Sequence, residues 1–179
     1  MAQSSLLYRF QVELSDIDRG VYKSFDLRTA LHPSESPAYL LTRLFAFLLN
    51  DREDLAFSAG GLSDPDAPAI QAASPHGKVL LWIEIANPSA RKLHRASKAA
   101  EQVKVYTYKD PDILLKEIRE NDVHRAETIE VYSLDPRFLD KLAERLERTN
   151  KWSVLHQDGV LSVTIGDATE TAELVKHPV

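Results

Sequence analysis

The stretch from Lys78 to Tyr108 constrains the fold more than any other part of the chain. Residues 79–85 read VLLWIEI, so a strand here is apolar on both faces until Glu84. Such a strand is typical of the centre of a sheet that is covered on both sides. A helical stripe and a second alternating segment follow, which predicts a strand–helix–strand unit. The stripe consists of Leu93, Ala96 and Ala100.

The helix of this unit carries a basic face. Arg91, Arg95 and Lys98 fall opposite the apolar stripe, and Asn87 is the predicted N-cap. Open α/β sheets bind anions at the carboxyl ends of their strands, beside helix N-termini. We therefore expect Glu84 and the three basic residues to border an anion-binding site.

Composition limits the classes of function. The chain has 179 residues, 44% hydrophobic and 27% charged, which is enough for one domain over residues 1–179. The lack of cysteine removes disulfides, thiolate metal sites and cysteine nucleophiles. A formal charge of −5 restricts any nucleic-acid contact to a local basic patch. No apolar run approaches the roughly 20 residues that span a bilayer, and the N-terminus lacks a signal pattern, so we expect a cytoplasmic protein without a membrane partner.

The remaining periodicities predict an α/β (α+β) fold with a mixed central sheet, flanking helices and antiparallel hairpins at both ends. About twenty residues after 55–57 show no periodicity, and loops of that length are often functional. The predicted strands outside the central unit are 6–14, 21–31, 55–57, 128–134, 151–156, 160–165 and 171–175, and the helices are 37–49, 110–121 and 136–149.

Three acidic residues support a metal site with oxygen ligands. Glu35 precedes the first helix, Asp66 follows a proline in the irregular segment, and Glu84 lies on the central strand. Carboxylates hold Mg²⁺ or Mn²⁺, and a nearby lysine or arginine offsets charge in phosphodiester hydrolysis. Clustered carboxylates should also perturb the pKa of Glu84. Two structural alternatives stay open, a turn role for Asp66 and a buried ion pair between Glu84 and Arg43.

Several motifs resemble the YaeQ family of bacterial proteins. They are HPSESPAYLLTRLFAFLLN from His32, GGLSDPDAP, LWIEIANPSARKL, VKVYTY and the C-terminal QDG hairpin, and the resemblance covers essentially the whole chain. It implies a variant of the PD-(D/E)XK restriction-endonuclease-like fold. In that fold a mixed sheet carries a metal-binding Asp and a (D/E)-x-Lys strand motif.

The resemblance assigns candidate roles to single residues. Asp66 corresponds to the PD aspartate, Glu84 to the strand acid, and Glu35 to a helical acid that some of these nucleases add. Ala86 occupies the position where the motif has lysine. The favoured replacement for that lysine is Lys92, because it lies between the basic and apolar faces of the following helix and can turn inward, and Arg91 is the substitute.

Two functions follow from the resemblance. The first is a Mg²⁺-dependent nuclease, with Mn²⁺ as a substitute, in which Asp66 and Glu84 bind the metal and Lys92, or Arg91 in its place, supports the transition state. The alternative is a non-catalytic regulatory module, linked to transcription, that holds nucleic acid or a protein through the basic helix face. DNA and RNA both stay open as substrates.

Overall fold

The computed structural model describes residues 4–58 and 64–179, and its strands form two mixed sheets with four α-helices. The predicted mixed α+β class is confirmed, although the strands divide between two sheets instead of one central sheet. The chain forms two units, residues 1–41 with 134–175, and residues 42–133 with 176–179. The prediction of one domain over residues 1–179 stays a prediction.

The first unit contains the sheet built from the two terminal hairpins. The bounds are β1 Leu6–Asp16, β2 Val21–Leu31, α4 Pro136–Ala143, β8 Thr149–Gln157, β9 Val160–Ile165 and β10 Ala168–Glu173. Strand β1 pairs antiparallel with β2 and parallel with β8, so the N-terminal and C-terminal parts of the chain share one sheet. The strand order is β10-β9-β8-β1-β2, and helix α4 contacts β10.

One face of this sheet forms the core of the first unit. Every second side chain is buried from Phe10 to Asp16 of β1 and from Asn150 to His156 of β8, whereas Leu6 on the predicted apolar face is exposed. Phe10 and Trp152 meet edge to face on adjacent strands, with ring centroids 5.4 Å apart. Both residues are almost completely buried, so this aromatic contact lies at the centre of the face.

The C-terminal hairpin has the tight turn that its QDG motif predicts. Asp158 and Gly159 both have positive φ, 52° and 73°, as a two-residue type I′ turn requires. Their backbone N–H groups donate to the carboxylate of Asp18 at 2.8 and 2.9 Å. These hydrogen bonds lower the pKa of Asp18 and join the turns of the two hairpins.

The second unit contains the sheet that carries Glu84. The bounds are α1 Pro37–Leu49, β3 Leu55–Phe57, β4 Ile70–Ala73, β5 Val79–Ile85, α2 Ala90–Ala99, β6 Ala100–Thr107, α3 Pro111–Glu120, β7 Glu130–Ser133 and β11 Val175–His177. Strand β5 lies inside this sheet, antiparallel to β4 and parallel to β6, which confirms the predicted central position. The strand order is β11-β7-β6-β5-β4-β3, and helix α1 begins in the first unit and ends in this one.

Several bounds differ from the sequence prediction, and the predicted strand 171–175 is replaced by β10 and β11. Three further differences concern a helix end, an unpredicted strand and a strand start. The predicted helix 136–149 ends at Ala143, because the side chain of Asn150 bonds both the N–H and the carbonyl of Glu147 and the chain then enters β8. Strand β4 lies in the segment without periodicity, since its four residues are too few to show alternation. The predicted strand 128–134 is shorter and follows a 3₁₀ turn at Ala126–Thr128. Among the described residues, no helix is long and apolar enough to cross a membrane.

Replacing Phe10 by alanine should lower the free energy of unfolding by about 3–5 kcal/mol, because a fully buried aromatic ring leaves a cavity. Tyr22 lies in the same hairpin but is 68% exposed, so Tyr22→Ala should stay within about 0.5 kcal/mol of wild type. Urea denaturation followed by circular dichroism measures both values. Equal losses in the two variants would contradict the assigned core.

Candidate functional site

Glu84 lies at the carboxyl end of β5 with only 3% of its surface exposed. It points to the same face of the sheet as Trp82, because the two residues are two positions apart on one strand. That face forms an apolar core with residues of α2 and α3. The sequence therefore places a carboxylate where water is largely excluded.

Two side chains satisfy this carboxylate. The indole Nε1 of Trp82 donates to one oxygen of Glu84 at 2.6 Å, and the Nζ of Lys92 lies 3.1 Å from the other. Lys92 is therefore the cation that meets Glu84, whereas the sequence had also left Arg43 open as its partner. The sequence analysis did not predict that Trp82 donates a hydrogen bond to Glu84. The two-residue period of a strand places both side chains on one face and could have indicated this contact.

Burial raises the pKa of Glu84 above its ordinary value, and Lys92 and Trp82 oppose this shift. The predicted perturbation is confirmed, but its cause is different. We expected repulsion between clustered carboxylates, whereas desolvation is the largest cause and the nearby charge is positive. Lys92 and Trp82 favour the ionised form, but their effect on the pKa of Glu84 is smaller than that of burial.

Helix α2 brings Lys92 to this position. The hydroxyl of Ser89 accepts the backbone N–H of Lys92 at 3.2 Å, so Ser89 is the N-cap and Lys92 lies in the first turn. Helical side chains tilt toward the N-terminus, which turns Lys92 back toward the end of β5. The prediction of Asn87 as the cap is wrong, because its amide instead donates to the carbonyl of Asp110 and accepts from Thr107.

The backbone at Ala86, the position where the (D/E)-x-Lys motif has its lysine, departs from strand geometry. Its backbone is left-handed, with φ of 69°, and its N–H donates to the carbonyl of Tyr106 at 2.8 Å. The chain thus leaves strand geometry at Ala86 while keeping the ladder bond. A side chain here is buried and does not continue the alternation that aligns Glu84 with Trp82.

Asp66 lies on an exposed turn that precedes β4. Its N–H donates to the carboxylate of Asp64 at 3.0 Å, which matches the turn role considered from the sequence. In the antiparallel β4–β5 register Ile70 faces Ile83, so the chain before β4 runs past the carboxyl end of β5. The carboxylate of Asp66 forms an ion pair with Arg95 of α2.

The structure brings four of the predicted site residues to the same part of α2. Lys92 and Arg95 are three positions apart, so their side chains are neighbours on the helix. Lys92 meets Glu84, and Arg95 meets Asp66. Glu84 and Asp66 therefore pair with two residues of α2 that are about one helical turn apart.

The other predicted site residues are placed differently. Arg91 and Lys98 are exposed on α2, as expected for a basic face. Glu35 belongs to the first unit and is buried. Among the described residues, no group of three or more His, Asp or Glu side chains is arranged to hold a metal ion. The first residues of the GGLSDPDAP motif, Gly60 and Gly61, lie outside the described residues.

The pH dependence of stability should report the buried Glu84. Because its folded pKa is raised, the folded state holds more protons, and stability falls as pH rises from below the ordinary glutamate pKa through the folded value. Glu84→Gln removes this loss, so its stability relative to wild type should increase with pH. Glu101→Gln is the control, because Lys78 lowers the pKa of Glu101 and the difference should change in the opposite direction. Urea unfolding at a series of pH values measures both, and parallel curves for Glu84→Gln and wild type would contradict the assignment.

The left-handed backbone at residue 86 predicts opposite effects for two substitutions. Ala86→Gly should stabilise the protein by about 0.5–1 kcal/mol, because glycine adopts this conformation without strain. Ala86→Lys should destabilise it by about 1–3 kcal/mol, because it places a long charged side chain at a buried position. Thermal unfolding measures both variants. A lysine tolerated without cost would show that the position is open.

The comparisons with known proteins agree over nearly the full chain. The family model described as YaeQ protein matches residues 1–174. The YaeQ protein of Escherichia coli (strain K12) is 31% identical over 90% of this chain and 89% of its own, and that of Salmonella typhi is 28% identical over 97% and 95%. The crystal structure of the YaeQ protein from Pseudomonas syringae matches with a TM-score of 0.90 and 31% identity, and the match covers 99% of this chain and 98% of that one. The crystal structure of the YaeQ protein from Xanthomonas axonopodis pv. citri matches with a TM-score of 0.89 and 26% identity, and the match covers 98% of this chain and 99% of that one. The chain therefore belongs to the YaeQ family.

Proposed function

We propose that this protein is a metal-dependent nuclease of the PD-(D/E)XK type in which Lys92 replaces the missing strand lysine. The contact between Lys92 Nζ and the buried Glu84 carboxylate, at 3.1 Å, is the observation that carries the proposal. An ordinary motif places its lysine beside the strand acid from two residues further along the strand. Here a helix residue delivers the same charge to the same acid.

The chemistry of the two acids suits a hard divalent cation. Asp66 and Glu84 offer only oxygen ligands, and Mg²⁺ is commonly bound by one or two carboxylates while water and substrate phosphates complete its shell. This donor set therefore fits Mg²⁺ or Mn²⁺ better than a metal that prefers imidazole or thiolate. Glu84 would supply the buried ligand and Asp66 the exposed one.

Each side chain then has a distinct task. A bound Mg²⁺ would polarise the scissile phosphodiester and lower the pKa of an attacking water. Trp82 holds one oxygen of Glu84 and fixes the plane of the carboxylate. Lys92 is 25% exposed, so its ammonium borders both the buried acid and solvent, where a phosphate oxygen can accept from it.

A non-catalytic binding module is the second candidate. It is favoured by the exposed basic residues of α2, Arg91 and Lys98, which are free to meet phosphates or an acidic protein surface. In that case Glu84 and Lys92 form a structural ion pair, and the protein binds its partner without hydrolysis. A regulatory role in transcription belongs to this candidate.

The nuclease proposal predicts that cleavage depends on Lys92. Purified protein is incubated with DNA and RNA in Mg²⁺ or Mn²⁺, and Lys92→Met should reduce the cleavage rate by roughly 100-fold, because it removes a charge that acts near the phosphate. Asp66→Asn and Glu84→Gln should lose cleavage as well. Gel electrophoresis of labelled substrates measures the rates.

Lys116→Met is the matched control. Lys116 is an exposed lysine on α3 whose ammonium lies near Glu120, so its loss should leave cleavage unchanged. Activity that persists equally in the Asp66, Glu84 and Lys92 variants would come from a contaminant and refute the nuclease. Binding without cleavage in the wild type, weakened steeply by salt and by Arg91→Ala, would instead support the second candidate.

A further inference from the structure

Residues 175–179, a segment that we call the strap, lie at the edge of the sheet in the second unit. The strand of the strap, β11, is hydrogen-bonded to β7 and ends the strand order of this sheet. Among the described strands, no other one flanks β7 on that side, so β7 without the strap would expose an open row of backbone N–H and C=O groups. Such an edge accepts an extended segment as an added strand.

A carboxylate of β7 recognises the strap by charge. The Oε1 of Glu130 lies 3.0 Å from the Nζ of Lys176 and accepts from the hydroxyl of Tyr132 at 3.3 Å. Its Oε2 accepts from Gln102 at 2.9 Å and lies 3.5 Å from the ammonium of Lys104. Burial acts to raise the pKa of Glu130, but Lys176 and Lys104 lower it below its ordinary value. One oxygen of this negative group is therefore held by the sheet, and the other faces the strap.

Two further residues of β7 contact the strap. The ring centroid of Tyr132 lies 5.8 Å from the Lys176 ammonium, which is a cation–π distance. The Oγ of Ser133 and the Nε2 of His177 are 2.7 Å apart. Since successive residues of a strand point to opposite faces, Lys176 contacts one face of the β7 edge and His177 contacts the other.

The end of the strap is held by α3 and by the core of the second unit. Arg119 donates to the carbonyl of Pro178 at 3.1 Å. Val179 is partly buried against the apolar cluster that α2 and α3 form with the sheet. The strap thus fits this edge with a basic residue, Lys176, and an apolar residue three positions later.

The strap is attached to the surface and not built into the core. Each of its residues is exposed or half-buried, and the side chain of Lys176 is 59% exposed. Segments with few buried apolar contacts open locally at a small fraction of the free energy of global unfolding. The strap can therefore leave β7 while the sheet stays folded.

We propose that the β7 edge is a binding groove for an extended segment of a partner protein, and that the strap occupies this groove as a competitor from the same chain. The β7 groove consists of Arg119, Glu130, Tyr132 and Ser133. Charge complementarity defines the partner segment, which carries a lysine or arginine in the place of Lys176 and an apolar residue three positions later. Backbone hydrogen bonds to β7 supply affinity, and Glu130 selects the basic side chain. This groove is independent of the pair between Glu84 and Lys92.

The covalent link of the strap decides which segment occupies the groove. A segment on the same chain competes at an effective concentration in about the millimolar range, far above that of a peptide added at micromolar concentration. We therefore expect the intact protein to exclude a short peptide and a weakened strap to admit it.

The test uses a fluorescein-labelled peptide, LVKHPV, which copies residues 174–179. Fluorescence anisotropy measures its binding to the wild type, to a variant that lacks residues 175–179 and to full-length Lys176→Glu. Both variants should bind the peptide at least about tenfold more tightly than the wild type, because the strap no longer competes. The full-length variant keeps the test decisive if the deletion impairs folding.

A charge exchange tests the role of Glu130. In the shortened chain, Glu130→Lys should weaken binding of LVKHPV by about tenfold or more and favour the peptide LVEHPV, because attraction becomes repulsion. In the full-length chain, Glu130→Lys combined with Lys176→Glu restores opposite charges, so the groove should exclude LVKHPV again. Glu170→Lys in the shortened chain is the matched control, since Glu170 pairs with Lys141 in the first unit and its loss should leave peptide binding unchanged.

Three results would overturn the proposal. The first is peptide binding that is absent or equal in the wild type and both opened variants, and the second is binding that does not respond to the charge exchange at Glu130. Size-exclusion chromatography supplies the third, a wild-type dimer that becomes a monomer when residues 175–179 are removed, because the strap would then occupy the groove of a second copy. Cleavage of nucleic acid, present or absent, changes none of these outcomes.

Discussion

The burial of a carboxylate on an interior strand is the constraint on which the rest of the candidate site depends. Glu84 lies in an apolar face, and the cost of removing an ionised group from water is several kcal/mol. Trp82 and Lys92 offset that cost because they occupy both oxygens. A hydrophobic residue of similar size would often be at least as stable, so stability alone does not explain the choice of an acid. Because stability does not account for a buried acid at this position, we interpret Glu84 as a functional residue.

Helix α2 provides a cation for each of the two acids. The cap at Ser89 sets the phase of the helix, which places Lys92 toward β5 and Arg95 one turn further along. The turn before β4 then brings Asp66 within reach of Arg95. The result is two ion pairs on one helix, Lys92 with Glu84 and Arg95 with Asp66.

The left-handed residue after β5 links the fold to this chemistry. Because Ala86 departs from strand geometry, the chain turns directly into α2, and the strand has no second position at which a lysine could face Glu84. The helix supplies the charge instead. The Lys92 side chain stays 25% exposed while its ammonium meets the buried acid.

The sequence by itself determined the elements with strong periodicity and the place of Glu84. Residues 79–83 are apolar on both faces, which predicts an interior strand, and Lys92 lies at the edge of the helical stripe, where it can turn inward. These inferences rest on local spacing. They hold because side-chain direction along a strand or helix is set by the backbone period.

Only the tertiary structure decided which charges meet. The pairing of Asp66 with Arg95 depends on the β4–β5 register, and β4 is too short to show a pattern. The parallel pairing of β1 with β8 in the sheet of the first unit joins segments more than 130 residues apart, and no local sequence pattern specifies that pairing. The cause of the raised pKa of Glu84 is likewise a matter of packing, because desolvation depends on what covers a carboxylate and not on its neighbours in the chain.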